Sequence, residues 1–271
     1  MEGVDRCRVR RSFQHGALEY DQHTPVQQRV IAQLLQQAAL RGNEEYGALL
    51  DIGCGTGRLL AGVMEKYPHY LPVGLDLANS MLSQARLRTG AKALLVQADA
   101  GQLPFQNQSF NLIVSSSTFQ WCDALDSCFS EVHRCLRQDG RFFFTLFGDG
   151  TFLELKDSWR EARIACGFSA KTDSDGTHRF HTAEKVRTVL ENLRFRELSV
   201  TTTVEKEWYP DVVHLLQSVK RIGAGSSRPP AGGGLGWRRV LHRMAEVYAD
   251  KYGTTRGVPA SYQVVWGAGV R

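Results

Sequence analysis

The segment Asp51-Ile52-Gly53-Cys54-Gly55-Thr56-Gly57 joins an apolar run, Ala48–Ile52, to a helical pattern that begins at Arg58. Glycines at alternate positions let the backbone turn sharply and let a ligand come close to the peptide plane. The helix behind them offers free N–H groups to a carboxylate or phosphate. Two further acids lie where such a ligand would extend. Asp76 ends the second apolar run, and Asp99 ends the third in Gln97-Ala98-Asp99-Ala100. A carboxylate at the first position can accept from both hydroxyls of a ribose, and one at the second can accept from an adenine amino group. Alone, the glycine turn is weak evidence, because glycine also simply makes turns. Three aspartates at successive strand ends give it weight, since open α/β sheets bind their ligands there. The GxGxG spacing differs from the GxGxxG of dinucleotide-binding folds and argues against a dehydrogenase.

The elements needed to hold these residues are legible in the periodicity. Thr24-Pro25-Val26-Gln27 supplies an N-cap, a proline at the first helical position and a capping glutamine, opening an amphipathic helix over 25–40. Strands are expected at 48–52, 71–75, 93–97, 110–115 and 141–146, with helices at 58–67, 80–88 and 123–137. That alternation predicts a parallel sheet covered on both faces. After residue 147 the rhythm changes. Helices are expected at 151–166 (opened by a Thr151/Glu154 capping box), 182–193, 211–222 and 238–252. Strands are expected at 197–208 and 261–270, and loop composition marks 169–178 and 223–236. Residues 1–22 read as a polar, basic leading segment. No internal repeat is apparent.

Bulk properties narrow the classes. The 271 residues suit one α/β domain with elaborations, and 42% hydrophobic with 23% charged residues is ordinary for a globular chain. No apolar run reaches the length of a membrane span, and Met1–Arg11 has no signal-peptide core, so a cytoplasmic protein is expected. Six cysteines without a CxxC pair, and histidines without ligand spacing, predict buried thiols and no metal. A net charge of +5 hints at an acidic partner; neither nucleic acid nor membrane is expected.

These residues resemble the class I S-adenosylmethionine-dependent methyltransferases. The match covers Asp51–Gly57, Asp76, Asp99, the Leu103-Pro104-Phe105 turn and Phe110–Ser115. The resemblance implies S-adenosylmethionine as cofactor, with Gly53, Gly55 and Gly57 flanking its methionine part, Asp76 on the ribose and Asp99 on the adenine. It extends the cofactor set to Tyr20, Asp51, Cys54, Leu77, Met81, Ala100, Ser115 and Phe119. The implied fold is α/β, a Rossmann-like seven-stranded, mostly parallel sheet with helices on both faces and an antiparallel last strand, plus a helical lid built from insertions. Its expected division is a leading segment and cofactor-binding core over 1–150, a lid helix over 151–181 and a return to the core over 182–210. A second lid segment with a flexible loop follows over 211–236, and 237–271 completes the core.

The rest of the chain is similar to the malonyl-acyl carrier protein O-methyltransferase family of biotin synthesis. Phe13–His23, Gln120-Trp121-Cys122, Phe144–Gly148 with Glu154-Leu155 and Ser158-Trp159, Leu216–Ala224 and Ala260–Gly267 carry the likeness. The implied acceptor is the free carboxylate of a malonyl group carried on acyl carrier protein, with malonyl-coenzyme A as a second carrier. Gln120, Trp121, Arg179, Lys220 and Arg221 are the expected substrate-binding residues, with Arg179 orienting the carboxylate. Plain alternatives exist for these: a packing role for Trp121, and a favourable helix dipole for Lys220 and Arg221. No general base is expected, because such a carboxylate is already ionised near neutral pH. Lys185, Arg187, Lys220, Arg221, Arg238 and Arg239 would offer an acidic carrier a basic surface. Two other readings stay open: a methyltransferase for another small acceptor such as a quinone, and a cofactor-binding assembly factor without turnover.

Overall fold

A computed structural model describes residues 6–37, 47–169, 178, 180–221 and 235–271. Arg179 and most of both loop-like stretches lie outside these residues. Helices α1 (Arg6–Gly16) and α2 (Pro25–Gln37) precede strand β1 (Gly47–Ile52). Then follow α3 (Arg58–Lys66), β2 (Tyr70–Asp76), α4 (Asn79–Thr89), β3 (Leu94–Gln97), β4 (Phe110–Ser116), α5 (Leu125–Cys135) and β5 (Leu136–Phe147). The last third holds α6 (Leu153–Ala165), α7 (Ala183–Asn192), β6 (Arg196–Tyr209), α8 (Val212–Arg221), α9 (Leu235–Tyr252) and β7 (Val258–Val270). Among the described residues no helix is long and apolar enough to cross a membrane.

The seven strands form one sheet in the order β3-β2-β1-β4-β5-β7-β6. β1 to β5 run parallel, and β7 is antiparallel to both β5 and β6. Chain order reverses at β1, which leaves its carboxyl end and that of β4 flanking a crevice, the usual ligand position in such sheets. Each strand sends alternate side chains to opposite layers. Leu49, Leu112 and Val264 meet α2, α3, α6, α8 and α9 on one face, whereas Leu50, Ile52, Ile113, Phe142 and Phe144 meet α5 and α7 on the other.

Local signals and tertiary partners disagree at two helix starts. The Thr24 hydroxyl donates to the Tyr20 carbonyl at 2.9 Å rather than capping α2. Thr151 donates to the Gln263 carbonyl, and Glu154 accepts from the Ser261 amide at 3.1 Å and from its hydroxyl, so the expected capping box is spent on β7. Phe152, in a left-handed conformation at φ 59°, begins α6 instead. At α7 the local signal holds, and the Thr182 hydroxyl accepts from the Lys185 amide at 3.0 Å.

The leading segment is the larger surprise. Residues 6–16 form a helix whose apolar stripe is a single residue wide, Val9 then Phe13, continued by buried Ala17 beyond its end. A stripe that narrow amid arginines gives little periodic signal. The helices expected as a lid, α6 and α8, bury Leu155, Trp159, Leu215 and Val219 in the core of the sheet's first face, beside Val240, Met244 and Tyr248 of α9. The helix that reaches over the crevice is α1.

Candidate active site

The turn after β1 is held by β2. The amides of Gly53 and Cys54 both donate to the Leu75 carbonyl, at 2.7 and 2.9 Å. Gly53 sits at φ +70°, where a Cβ would lie 2.1 Å from the Thr118 hydroxyl oxygen, so no other residue fits. Gly55, at φ +52°, has nothing within 4 Å of where its Cβ would be. The backbone there is bare toward the crevice, as close approach of a ligand requires.

Asp76 ties this turn to the next helix. Its Oδ2 accepts from the Gly55 amide at 2.9 Å, and its Oδ1 from the Ala78 amide at 2.8 Å. Each carboxylate oxygen keeps a second lone pair for a ligand hydroxyl. Burial raises its pKa above the ordinary value, opposed by these amides. Asp99 is fixed similarly: its Oδ1 accepts from the Gly101 amide at 2.8 Å. A cavity runs past Gly53, Gly55, Asp76, Leu77, Met81, Asp99 and Ala100 and brings together the residues expected toward a ribose and an adenine.

A second cavity on the other side of Tyr20 shares Gly53, Gly55, Ser116 and Ser117 with the first and contains Asp51, Cys54 and Arg58. Asp51 is completely buried, and neither of its carboxylate oxygens has a hydrogen-bond partner. Burial, reinforced by the charge of Asp76 and only partly opposed by the Leu60 amide, pushes its pKa up to about 8. Leaving a carboxylate in this condition costs stability. An ammonium group brought into the cavity would supply the missing donors and the counter-charge. The buried, unpartnered Nε of Arg58 in the same cavity is a complementary donor for a carboxylate. The pair suits the two ends of an amino acid.

The cover is aromatic on one side and ionic on the other. Phe13 of α1 meets Tyr20 and Trp121 edge-on at 6.1 and 5.8 Å, and all three line the first cavity. Asp21 then clamps the segment to the glycine turn. It accepts from the Thr56 hydroxyl at 2.8 Å and from Arg88 at 2.6 Å, with Arg58 at 3.5 Å. Burial acts to raise the Asp21 pKa, but Arg88, Thr56 and Arg58 outweigh it and hold the carboxyl below its ordinary value. Asp21→Ala removes the clamp and trims one wall of the second cavity, leaving Asp76 and Asp99 in place. The expected result is release of an adenosyl ligand about tenfold faster, for a loss of about 1.4 kcal/mol. Stopped-flow displacement measures it, and an unchanged release rate would show that the clamp holds nothing.

Most of the expected cofactor residues therefore converge: Tyr20, Asp51, Gly53, Cys54, Gly55, Asp76, Leu77, Met81, Asp99 and Ala100 line one cavity or the other. Gly57 caps α3 and lies against Ala85 of α4, lining neither cavity. Ser115 and Phe119 do not belong with them. The Ser115 hydroxyl is buried and donates to the Ile52 carbonyl at 2.8 Å. Phe119 is buried in the core at 5.0 Å from Phe129. The cause is strand alternation followed by a left-handed Ser117 at φ 56°, which puts Ser116, Ser117 and Thr118 on the cavity instead.

Of the expected substrate residues, Trp121 lines the first cavity. Gln120 is buried behind it, donating to the Ser117 carbonyl at 2.7 Å with its own Oε1 unpartnered. Lys220 and Arg221 line a separate cleft, so the structure does not bring them to this cavity. Sequence reasoning missed Val9, Phe13, Asp21, Thr118 and His178. The His178 ring packs at a tilt against Trp121, centroids 4.6 Å apart, and its Nε2 faces the Gln120 carbonyl. Burial lowers its pKa, so the ring is neutral and donates through that nitrogen. Among the described residues no group of three or more His, Cys, Asp or Glu is placed to hold a metal.

A family model described as a methyltransferase domain matches residues 50–144, the stretch that carries the glycine turn, Asp76 and Asp99. Over 270 residues the chain is 44% identical to a malonyl-[acyl-carrier protein] O-methyltransferase of Geobacter sulfurreducens, covering 99% of this chain and 100% of that one. It is 30% identical to a biotin biosynthesis bifunctional protein, BioHC, of Teredinibacter turnerae, matching 96% of this chain and 46% of that longer one. The YcgJ protein of Bacillus subtilis shares the fold, with a TM-score of 0.61 at 17% identity over 90% of this chain and 98% of that one. The site built from the glycine turn and its aspartates, and a relative of this identity along its full length, place the chain in the malonyl-acyl carrier protein O-methyltransferase family.

Proposed function

We propose that the protein transfers the methyl group of S-adenosylmethionine to the free carboxylate of a malonyl thioester on acyl carrier protein, an early step of biotin synthesis. The observation that carries this is the pair of linked cavities. One holds an orphaned, buried Asp51, and the other runs between Asp76 and Asp99. Their polar groups suit an amino acid joined to a nucleoside. Asp51 would hold the ammonium, Asp76 the ribose hydroxyls and Asp99 the adenine amino group. Bound there, S-adenosylmethionine supplies a methyl group activated by a sulfonium.

The chain's own residues then have limited chemistry to perform. A malonyl carboxylate needs no deprotonation near neutral pH. His178 donates through Nε2 to the Gln120 carbonyl, and an acceptor with no proton to lose asks nothing of it as a base. What remains is alignment and removal of water, of which alignment contributes more. Phe13, Tyr20 and Trp121 make the walls apolar beside the shared glycine turn, with Val9 of α1 beside them. A carboxylate stripped of water on one side is a stronger nucleophile than a hydrated one.

The deciding assay mixes purified protein and cofactor with malonyl-acyl carrier protein, and separately with malonyl-coenzyme A. Methyl ester on the carrier protein, seen by mass spectrometry as the gain of one CH2 where a methyl replaces the carboxyl proton, is the expected product. No ester on either thioester, with cofactor bound, sinks the proposal.

A further inference from the structure

The cations of the expected carrier surface do not act together. Lys185 is paired with Asp126 at 2.9 Å, and Arg187 donates to the Val200 carbonyl at 2.8 Å. Lys220 and Arg221, by contrast, meet cations from the opposite end of the sequence. Between α1, the turn at Tyr20–His23 and the end of α8 lies an open cleft of about 770 Å³ lined by Arg11, His15, His23, Lys220 and Arg221. Among its described lining residues the one acid, Glu19, faces His23 at 3.6 Å. Among the described residues no carboxylate is paired with Arg11, Lys220 or Arg221. A favourable helix dipole explains basic residues at the end of α8. It does not explain why α1 brings Arg11 and His15 to the same concave surface. The two helix ends are in contact, since a Cβ on Gly16 would lie 3.1 Å from the Arg221 carbonyl oxygen.

α1 is thus a wall with two sides. Val9 and Phe13 face the methyl-transfer cavity, while Arg11, Ser12 and His15 face the basic cleft. A partner seated in the cleft sits one helix away from the reacting groups. The cleft is too wide and open to enclose a small anion, but a concave surface of this size suits the convex, acidic face of a folded domain. We propose that the cleft between α1 and α8 is the docking site for the acidic face of acyl carrier protein, from which the malonyl arm reaches the cavity around the edge of α1. This rests on the proposed function. Its charge pattern would steer association more than it fixes final affinity, with strong salt dependence.

The test uses full-length protein with the substitutions Lys220→Glu and Arg221→Glu together, and Arg11→Glu separately. Binding of fluorescently labelled malonyl-acyl carrier protein is followed by anisotropy at low and high salt. The expected result is a Kd raised about tenfold or more at low salt in both variants, with a flattened salt dependence. Affinity for S-adenosylmethionine should stay within about twofold, which shows that the fold is intact. Coenzyme A, which shares the arm but not the protein surface, should bind the variants as it binds the wild type. Unchanged carrier affinity overturns the docking site. So does an equal loss for coenzyme A, which would make the cleft a phosphate site. If the wild type methylates no malonyl-carrier protein at all, the proposed function itself has failed, and the variants are not the cause.

Discussion

Asp76→Ala should raise the S-adenosylmethionine dissociation constant about 100-fold or more, and Asp76→Asn by clearly less. Two ribose hydroxyls each donating to a buried carboxylate contribute about 1.5–3 kcal/mol apiece, and every 1.4 kcal/mol is tenfold. The structure adds a second cost. Asp76 also accepts from the amides of Gly55 and Ala78, so alanine leaves both without their acceptor and loosens the glycine turn. A loss of about 2–4 kcal/mol of stability should accompany the loss of affinity. Asparagine keeps one carbonyl oxygen and recovers part of each. Titration calorimetry and thermal melts read the two effects separately. An alanine variant that binds cofactor like the wild type would remove Asp76 from the site.

The second large effect is at Asp51, and its sign depends on whether cofactor is present. The folded pKa is about 8, far above the ordinary carboxyl value. Without cofactor, the folded chain therefore keeps a proton that the unfolded chain releases above about pH 4. Stability is highest below that ordinary value and is lost as pH rises through the folded pKa. Asp51→Asn is uncharged throughout and escapes this loss. The apo variant should match the wild type below about pH 4 and exceed it at pH 8 by about 5 kcal/mol, many degrees in Tm. The same substitution should weaken S-adenosylmethionine about 100-fold, because a charged partner for the ammonium is gone. Near pH 7 the wild type should release close to one proton as cofactor binds, since the arriving ammonium favours the carboxylate. Calorimetry in two buffers of different ionisation enthalpy detects that proton. Its absence, with an apo stability that does not fall between pH 5 and 8, would falsify the orphaned-carboxylate account. Natural sequences commonly retain such a group because its cost is repaid on ligand binding.

The substrate side was less legible than the cofactor side, and the residues show why. Glycines at alternate positions and acids at strand ends are features of a few contiguous residues, and strand alternation alone aims them. Ser115 and Phe119 lie in an equally contiguous stretch, yet the left-handed Ser117 turns the chain and sends them into the core. No pattern of residue types announces that turn, because Ser is an unremarkable choice there. Likewise Thr151 and Glu154 make a good local cap on paper, but Gln263 and Ser261 of β7 take their hydrogen bonds across more than a hundred residues. Wherever a buried tertiary partner competes with an exposed local one, the buried partner is the costlier to leave unpaired.

The Asp51–Gly57 turn, the acids at Asp76 and Asp99, and the alternation of strands and helices were determined by sequence alone, since short-range periodicity and backbone sterics suffice to specify them. Tertiary structure decided the rest. It made α1 the cover through a stripe one residue wide, left Asp51 without a partner, and carried Lys220 and Arg221 away from the cavity to join Arg11. Those outcomes depend on which distant segments pack together, and packing is settled by shape and burial over the whole chain rather than by any local run of residues.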